Sequence, residues 1–285
     1  MIFHRTPINY LLVNLAVADA LYATFVTPQT FFKIIPTHPG GTIGTVLCKL
    51  VTGGYLAWTA GTSSVITLVA IAAERYFAVI YPVGNVGKLT KRKLKVIIPG
   101  SWIFALIFFI LYITGSNVKD NACVRMDEEW LQKAETLLWS VIVVAAMVLM
   151  AGLYSRIVYT LWFKCDPENQ LAFQQMGVLR VRKRVTLMGV TVTAIFGICW
   201  ATDVIAHNLD YFTSVSVSEL AYAVIHMLVL FSSAVNPFVY ALVNKTFRQK
   251  LKGMICRQCT GSTGSTRIRV FPQKLTSTAG TSSLE

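Results

Sequence analysis

The sequence predicts an all-α fold, a polytopic bundle of transmembrane helices, and three observations carry that prediction. Of 285 residues, 54% are hydrophobic and only 14% charged, against about 25% charged in an ordinary soluble domain. Apolar runs recur at 9–32, 50–72, 96–114, 137–161, 185–206 and 220–243, each near the roughly 20 residues that cross about 30 Å of hydrocarbon. Short charged segments separate them, so a water-soluble packing would leave none of the six runs a polar face. The first run contains Asn14 and Asp19 and precedes no small-residue cleavage site, so it reads as a span and not as a secretory signal.

The spans alternate in direction, and the charge between them reports which side is which. Arg5, "GKLTKRKLK" at 87–95, "RVRKR" at 180–184 and "KTFRQKLKGMICRQC" at 245–259 all fall on one side of six crossings. By the positive-inside tendency that side is cytoplasmic, with both termini. The net charge of +13 therefore reflects topology and not nucleic-acid binding. In the opposite loops and span ends Asp120, Asp127, Glu128, Glu129, Glu135, Asp203, Asp210 and Glu219 outnumber Lys33, Lys49, Lys119, Arg125 and Lys133. Such a surplus either favours a cationic ligand or is solvated loop charge.

Taken in order, each span carries polar residues that need a reason. The first holds Asp19 deep in "NLAVAD" and Pro28 near its outer end; a carboxylate at that depth faces a bundle interior or a water cavity. The second supplies Ser64 and the last Ser232, Ser233 and Asn236 at similar depth. Together these form either a hydrated cavity holding a cation, with Asp19 and Ser64 as its metal ligands, or a hydrogen-bond network without an ion. The second span ends on Glu74-Arg75-Tyr76, where adjacent charges form an ion pair. That pair is either an anchor at the membrane edge or, with Tyr154 and Tyr240, half of a two-state contact. Pro237 after Asn236 removes a helix hydrogen bond and favours a kink.

Cys48 and Cys123 lie on the non-cytoplasmic side, where oxidation is permitted. They are either a disulfide tying the long outer loop to the second span or two outer thiols. Residues 1–243 read as the membrane bundle, 244–259 as an amphipathic juxtamembrane helix, and 260–285 as a disordered Ser/Thr-rich tail. Cys256 and Cys259 are candidate palmitoylation sites or free thiols. Enzyme chemistry has no foothold: the four histidines are scattered and no nucleophile–base set or zinc spacing appears.

In this order and spacing the residues resemble the rhodopsin-like, class A G-protein-coupled receptors, and among them the neuropeptide receptors. "NLAVAD" is similar to the second-helix motif of that family, Cys48, Ser64 and "ERY" to the third, Trp102 to the fourth, Tyr154 to the fifth, "FGICW" to the sixth and "NPFVY" to the seventh. The resemblance implies a seven-helix-type bundle of which this chain holds six spans, in the plasma membrane. It implies an activation switch of Glu74, Arg75, Tyr154, Phe196, Trp200, Asn236, Pro237 and Tyr240. It also implies an allosteric sodium network of Asp19, Ser64, Ser233 and Asn236, with Ser232 where the family has Asn, and no other cofactor. Partners implied are an extracellular peptide-like ligand, a heterotrimeric G protein, arrestin, receptor kinases and membrane lipids.

Ala57, eighteen residues before Arg75, removes the amine-receptor Asp, and Leu230, six before Asn236, the retinal-linking Lys. A cationic neuropeptide-like ligand is the expectation, met by Trp200, His207, Tyr222, His226 and an upward-facing Asp203. Several departures bear on this. Cys48 and Arg75 are twenty-seven positions apart, two beyond the family's spacing, which predicts either a bulge around Gly53-Gly54 or a different cysteine geometry. Thr202 and Ala146 replace prolines of the sixth and fifth helices. The chain starts where the second family helix begins, so a shortened gene model or transcript is expected ahead of a natural six-span receptor. Rival functions are a signalling-deficient fragment that associates with other receptors and, further off, a channel or transporter with Asp19 and Arg75 on its path.

Overall fold

Each apolar run becomes a helix, because backbone N–H and C=O groups in hydrocarbon must be paired within their own segment. The computed structural model describes residues 7–35, 37–81, 87, 89–164 and 173–243, with the backbone alone at 7, 164, 173–176, 178 and 237–243. Its elements are α1 (Pro7–Ile34), α2 (Gly41–Leu47), a π turn (Cys48–Thr52), α3 (Tyr55–Ile80), α4 (Lys91–Phe108), α5 (Ile110–Gly115), β1 (Ser116–Lys119), β2 (Ala122–Arg125), α6 (Glu129–Tyr159) with a π extension (Thr160–Lys164), α7 (Phe173–Phe212) and α8 (Glu219–Val243). Among the described residues six helical stretches are long and apolar enough to cross a membrane, as predicted. The proposed juxtamembrane helix, Cys256, Cys259 and the tail lie outside the described residues.

The stretch containing α3 is the axis of the bundle and is mostly buried, while the one containing α4 is mostly exposed. It packs against α1, α4 and α6, while α8 closes against α1 and α7. Leu15, Tyr22, Trp58, Val65, Met150 and Val229 are among the buried residues that fill the core between them. Outward, Val13, Ile107, Val148, Ile198 and Phe231 are exposed in the belt that hydrocarbon would cover. Thr24 and Thr27 sit on an exposed face and donate to the carbonyls of Ala20 and Ala23, at 2.8 Å each, which satisfies hydroxyls that lipid could not.

The predicted bulge is a π turn and a break. Gly53 is followed by Gly54 at φ +97°, a left-handed conformation open to a residue without Cβ; a Cβ there would also meet Gln29 Nε2 at 2.7 Å. This break absorbs the added length between Cys48 and the start of α3. Farther along, Thr202 and Ala146 leave α7 and α6 as unbroken helices of 40 and 31 residues. The hydroxyl of Thr202 donates to the Cys199 carbonyl at 2.6 Å.

Sequence reading did not foresee the hairpin between α5 and α6. Strands β1 and β2 pair antiparallel, with Asn117 opposite Val124 and Val118 opposite Cys123. The turn uses Asp120 at φ +50° and Asn121 at φ +58°, the residue types that tolerate left-handed backbone at both centres of a tight hairpin. Cys123 on β2 is disulfide-bonded to Cys48, so the pair predicted from compartment is one bridge.

Candidate functional site

The deepest polar cluster is centred on Asp19 of α1, which is 9% exposed. Its Oδ1 accepts from Ser64 of α3 at 2.8 Å and from Ser233 of α8 at 3.0 Å, and its Oδ2 accepts from Asn236 Nδ2 at 2.9 Å. One carboxylate thus gathers three helices. Ser232 is not in that contact set: its hydroxyl turns back to the Val229 carbonyl at 2.7 Å, one helical step from the position Ser233 occupies. Among the described residues no cationic side chain pairs with Asp19. A second knot, unpredicted apart from Trp102, lies nearby: Trp102 Nε1 donates to Asn14 Oδ1 at 3.0 Å while Asn14 Nδ2 donates to Thr67 at 2.8 Å, joining α4, α1 and α3.

At the far end of α3 Arg75 pairs with Glu74 at 2.5 Å, both side chains partly buried. Tyr154 is buried on α6 and lies against Gly189 of α7, where a Cβ would approach its hydroxyl to 2.5 Å. Tyr76 stacks locally on Phe77 and Tyr81. The backbones of Pro237 and Tyr240 belong to α8, and their side chains lie outside the described residues. The predicted ion pair is therefore made.

In the half of the bundle nearer the hairpin a ring cluster forms, and its hub is a residue the sequence reading passed over. Trp58 lies 6.3 Å from Trp200, 5.7 Å from His207, 5.9 Å from His226 and 6.2 Å from Trp139. Tyr222 adds to His207 at 5.0 Å, and Trp200 continues inward to Phe196 at 5.5 Å. The five predicted ligand residues are thus neighbours. Trp58 follows Ala57, so turning one helical residue from the position already weighed was the available signal; Trp139 gave none beyond its burial in an apolar run.

Asp203 corrects an expectation. It is 0% exposed, not upward-facing, because α7 turns it inward beneath His207. Its nearest cation-capable neighbour is His207 Nδ1 at 3.4 Å. Neither Asp203 carboxylate oxygen has a hydrogen-bond partner among the described residues, whereas His226 shares a hydrogen bond with Thr30 at 3.0 Å, and the Tyr222 hydroxyl donates to Asp210 at 3.0 Å. The acidic rim is partly spoken for as well. Arg125 on β2 donates to Asp127 and Glu135 at 2.7 and 2.8 Å, with its guanidinium 4.2 Å over the Tyr112 ring, and Lys133 pairs with Glu129.

A polytopic helical bundle with a buried carboxylate tying three helices, an aromatic cluster toward the hairpin end and an Arg–Glu pair at the opposite end is that of a membrane protein. The model for the 7 transmembrane receptor (rhodopsin family) matches residues 3–240, and the chain belongs to that family, whose members are receptors and not enzymes. It is similar to the pyroglutamylated RF-amide peptide receptor of Rattus norvegicus, 27% identical over 88% of this chain and 63% of that receptor. It is similar also to the allatostatin-A receptor of Bombyx mori, at 28% over 86% and 69% of the two, and to galanin receptor type 2 of Homo sapiens, at 28% over 96% and 70%. The chain thus spans somewhat under two thirds of the rat receptor's length.

Proposed function

We propose that this protein is a cell-surface receptor for a cationic, neuropeptide-like ligand and that it signals by activating a heterotrimeric G protein. The observation that carries the reading is the continuous line of rings from His226 and His207 through Trp58 to Trp200 and Phe196. A ligand that displaces the outer rings moves Trp200, and α7, unbroken through Thr202, carries that displacement inward. The relatives named above, called peptide receptors, allatostatin receptors and galanin receptors, support a peptide ligand.

At the inner end the Glu74–Arg75 pair holds the resting arrangement, and rotation of α7 away from Tyr154 opens the face that the G protein enters. Such a change needs differential contact: the agonist must bind the open state more tightly than the resting one, and the G protein then tightens agonist binding in return. The basic segments at 91–95 and 180–184 lie on the cytoplasmic side in this reading and contribute to the G-protein contact.

Asp19, Ser64, Ser233 and Asn236 fit a small monovalent cation, since the buried carboxylate accepts only from neutral groups and its charge has no cationic partner among the described residues. A bound sodium ion would supply that charge balance, with Asp19 and the hydroxyl of Ser64 as its ligands. Ser233 and Asn236 then hold α8 to the resting state.

The test is stimulation of nucleotide exchange. The protein, reconstituted in lipid with a purified heterotrimer, should raise exchange several-fold with at least one member of a panel of amidated cationic peptides. A folded protein that no member of the panel activates would sink the reading.

A further inference from the structure

At the end of the bundle opposite the hairpin, the outward faces of α6 and α7 change character together. Along α7 the outward residues recur at helical spacing as Leu187, Thr191, Ile198 and Ile205, all exposed, while Val192, Phe196, Cys199 and Asp203 turn inward and are buried. Arg184 and Arg180 fall on the outward stripe about one and two turns before Leu187, and both are exposed. Thr186 is buried and Arg182 half-buried on the other side of the helix. The basic run therefore divides: Arg182 serves the bundle, and Arg180 and Arg184 extend the face that lipid covers.

On α6 the exposed stripe of Val141 and Val148 likewise continues into Arg156 and Tyr159. Tyr159 stacks on the exposed Phe163 at 5.8 Å. Trp162, exposed beside them, carries the ammonium of Lys183 from α7 at 5.1 Å from its ring centroid. Exposed rings at the end of an apolar span mark the depth of a membrane–water interface, where amphipathic aromatic side chains concentrate. Arg156, Arg180, Lys183 and Arg184 thus stand at the depth of lipid headgroups. Among the described residues no carboxylate forms an ion pair with any of them, and Glu74 at this end is taken by Arg75.

Cations held at the edge of hydrocarbon without a protein counter-ion draw one from the membrane, and basic clusters beside a span attract anionic lipid. A guanidinium pairs with phosphate oxygens in planar, bidentate geometry, while a cation over an indole is held in place by the ring. We propose that the joined ends of α6 and α7 bind the headgroup of an anionic phospholipid, with Arg180 and Arg184 receiving its phosphate and Lys183, seated on Trp162, completing the charge from the α6 side. The lipid then bridges the α6–α7 seam. The inference rests on the membrane reading and not on the ligand or the signalling.

The test is which lipid the whole protein keeps. Reconstituted in nanodiscs of equal parts phosphatidylserine and phosphatidylcholine and released into native mass spectrometry, the wild-type protein should retain phosphatidylserine in preference by about tenfold or more. Arg180→Gln combined with Arg184→Gln should bring that preference to within about twofold at an unchanged melting temperature, since both side chains are exposed. Lys91→Gln combined with Lys95→Gln removes the same charge from exposed positions of α4 and should leave the preference as it was. No preference in the wild type, equal loss in both double variants, or a preference that survives in the folded arginine variant overturns the proposal. Glycerophosphoserine free in solution should not displace the retained lipid; displacement would make this a site for a soluble anion and overturns it too. So would a fall in nucleotide exchange by the arginine variant in pure phosphatidylcholine discs with lipid retention unchanged, which would assign the two arginines to the G protein. Because the readout is bound lipid and not exchange, this proposal and the receptor reading fail separately.

Discussion

Asp19 shows how one side chain sets the demands on its neighbours. Three donors from two other helices converge on it, and each hydrogen bond to an ionised group contributes roughly 1.5–3 kcal/mol. Replacing it by alanine strands those donors in the bundle, so Asp19→Ala should destabilise the protein by about 2–5 kcal/mol, read as a lowered melting temperature in nanodiscs. Asp19→Asn keeps one acceptor and removes the charge. That variant should fold and lose the rise in melting temperature that sodium chloride, compared with choline chloride at equal ionic strength, gives the wild type; a retained sodium-specific rise would refute cation binding at this carboxylate. The depth of Asp19 made it visible in the sequence, because a charge in an apolar run has to be explained. Its choice of Ser233 over Ser232 was not visible, since one residue of helical rotation, 100° of it, is decided by how α8 packs.

Among the elements, the α6–α7 seam and the hairpin are where packing takes over from pattern. Gly189 permits the Tyr154 ring to rest against α7, and an added Cβ would come within 2.5 Å of the hydroxyl. Gly189→Ala should therefore push the two helices apart at a cost of about 1–3 kcal/mol. It should also raise agonist-independent nucleotide exchange, because α7 moves in the direction that activation requires; a stabilised protein with unchanged basal exchange would contradict this seam as a moving part. At the hairpin the Cys48–Cys123 bridge closes a separation of 75 residues, and loop-closure entropy assigns such a bridge about 4 kcal/mol. Cys123→Ser should lower thermal stability by a substantial part of that amount and weaken ligand binding; unchanged binding would detach the hairpin from the ligand site. The bridge was legible from the compartment of two cysteines. The strands around it were not, because 116–125 alternates weakly and is held in register by the bridge, the Asp120-Asn121 turn and Arg125. The break at Gly53-Gly54, by contrast, was one of two ways the sequence allowed the surplus spacing to be absorbed.

For the molecule as a whole, the direction of the spans decides every functional assignment, since the same bundle inserted upside down would offer its aromatic cluster to the cytoplasm. The hairpin, Lys119 and the Cys48 bridge share one end of the alternating helices, while Lys91 and Lys95 begin α4 beyond the opposite end of α3, where Arg75 pairs with Glu74. Lys91, Lys95 and Lys119 are all exposed at the ends of their elements. Their reaction with a membrane-impermeant amine reagent therefore depends on sidedness and not on burial. Positive charge resists translocation, and the exposed basic residues concentrate at the Lys91 end, so that end should stay inside. On intact cells Lys119 should be modified and Lys91 and Lys95 protected until the membrane is permeabilised. The reverse pattern would place the ring cluster on the cytoplasmic face, where an extracellular peptide could not reach it, and would remove the receptor reading.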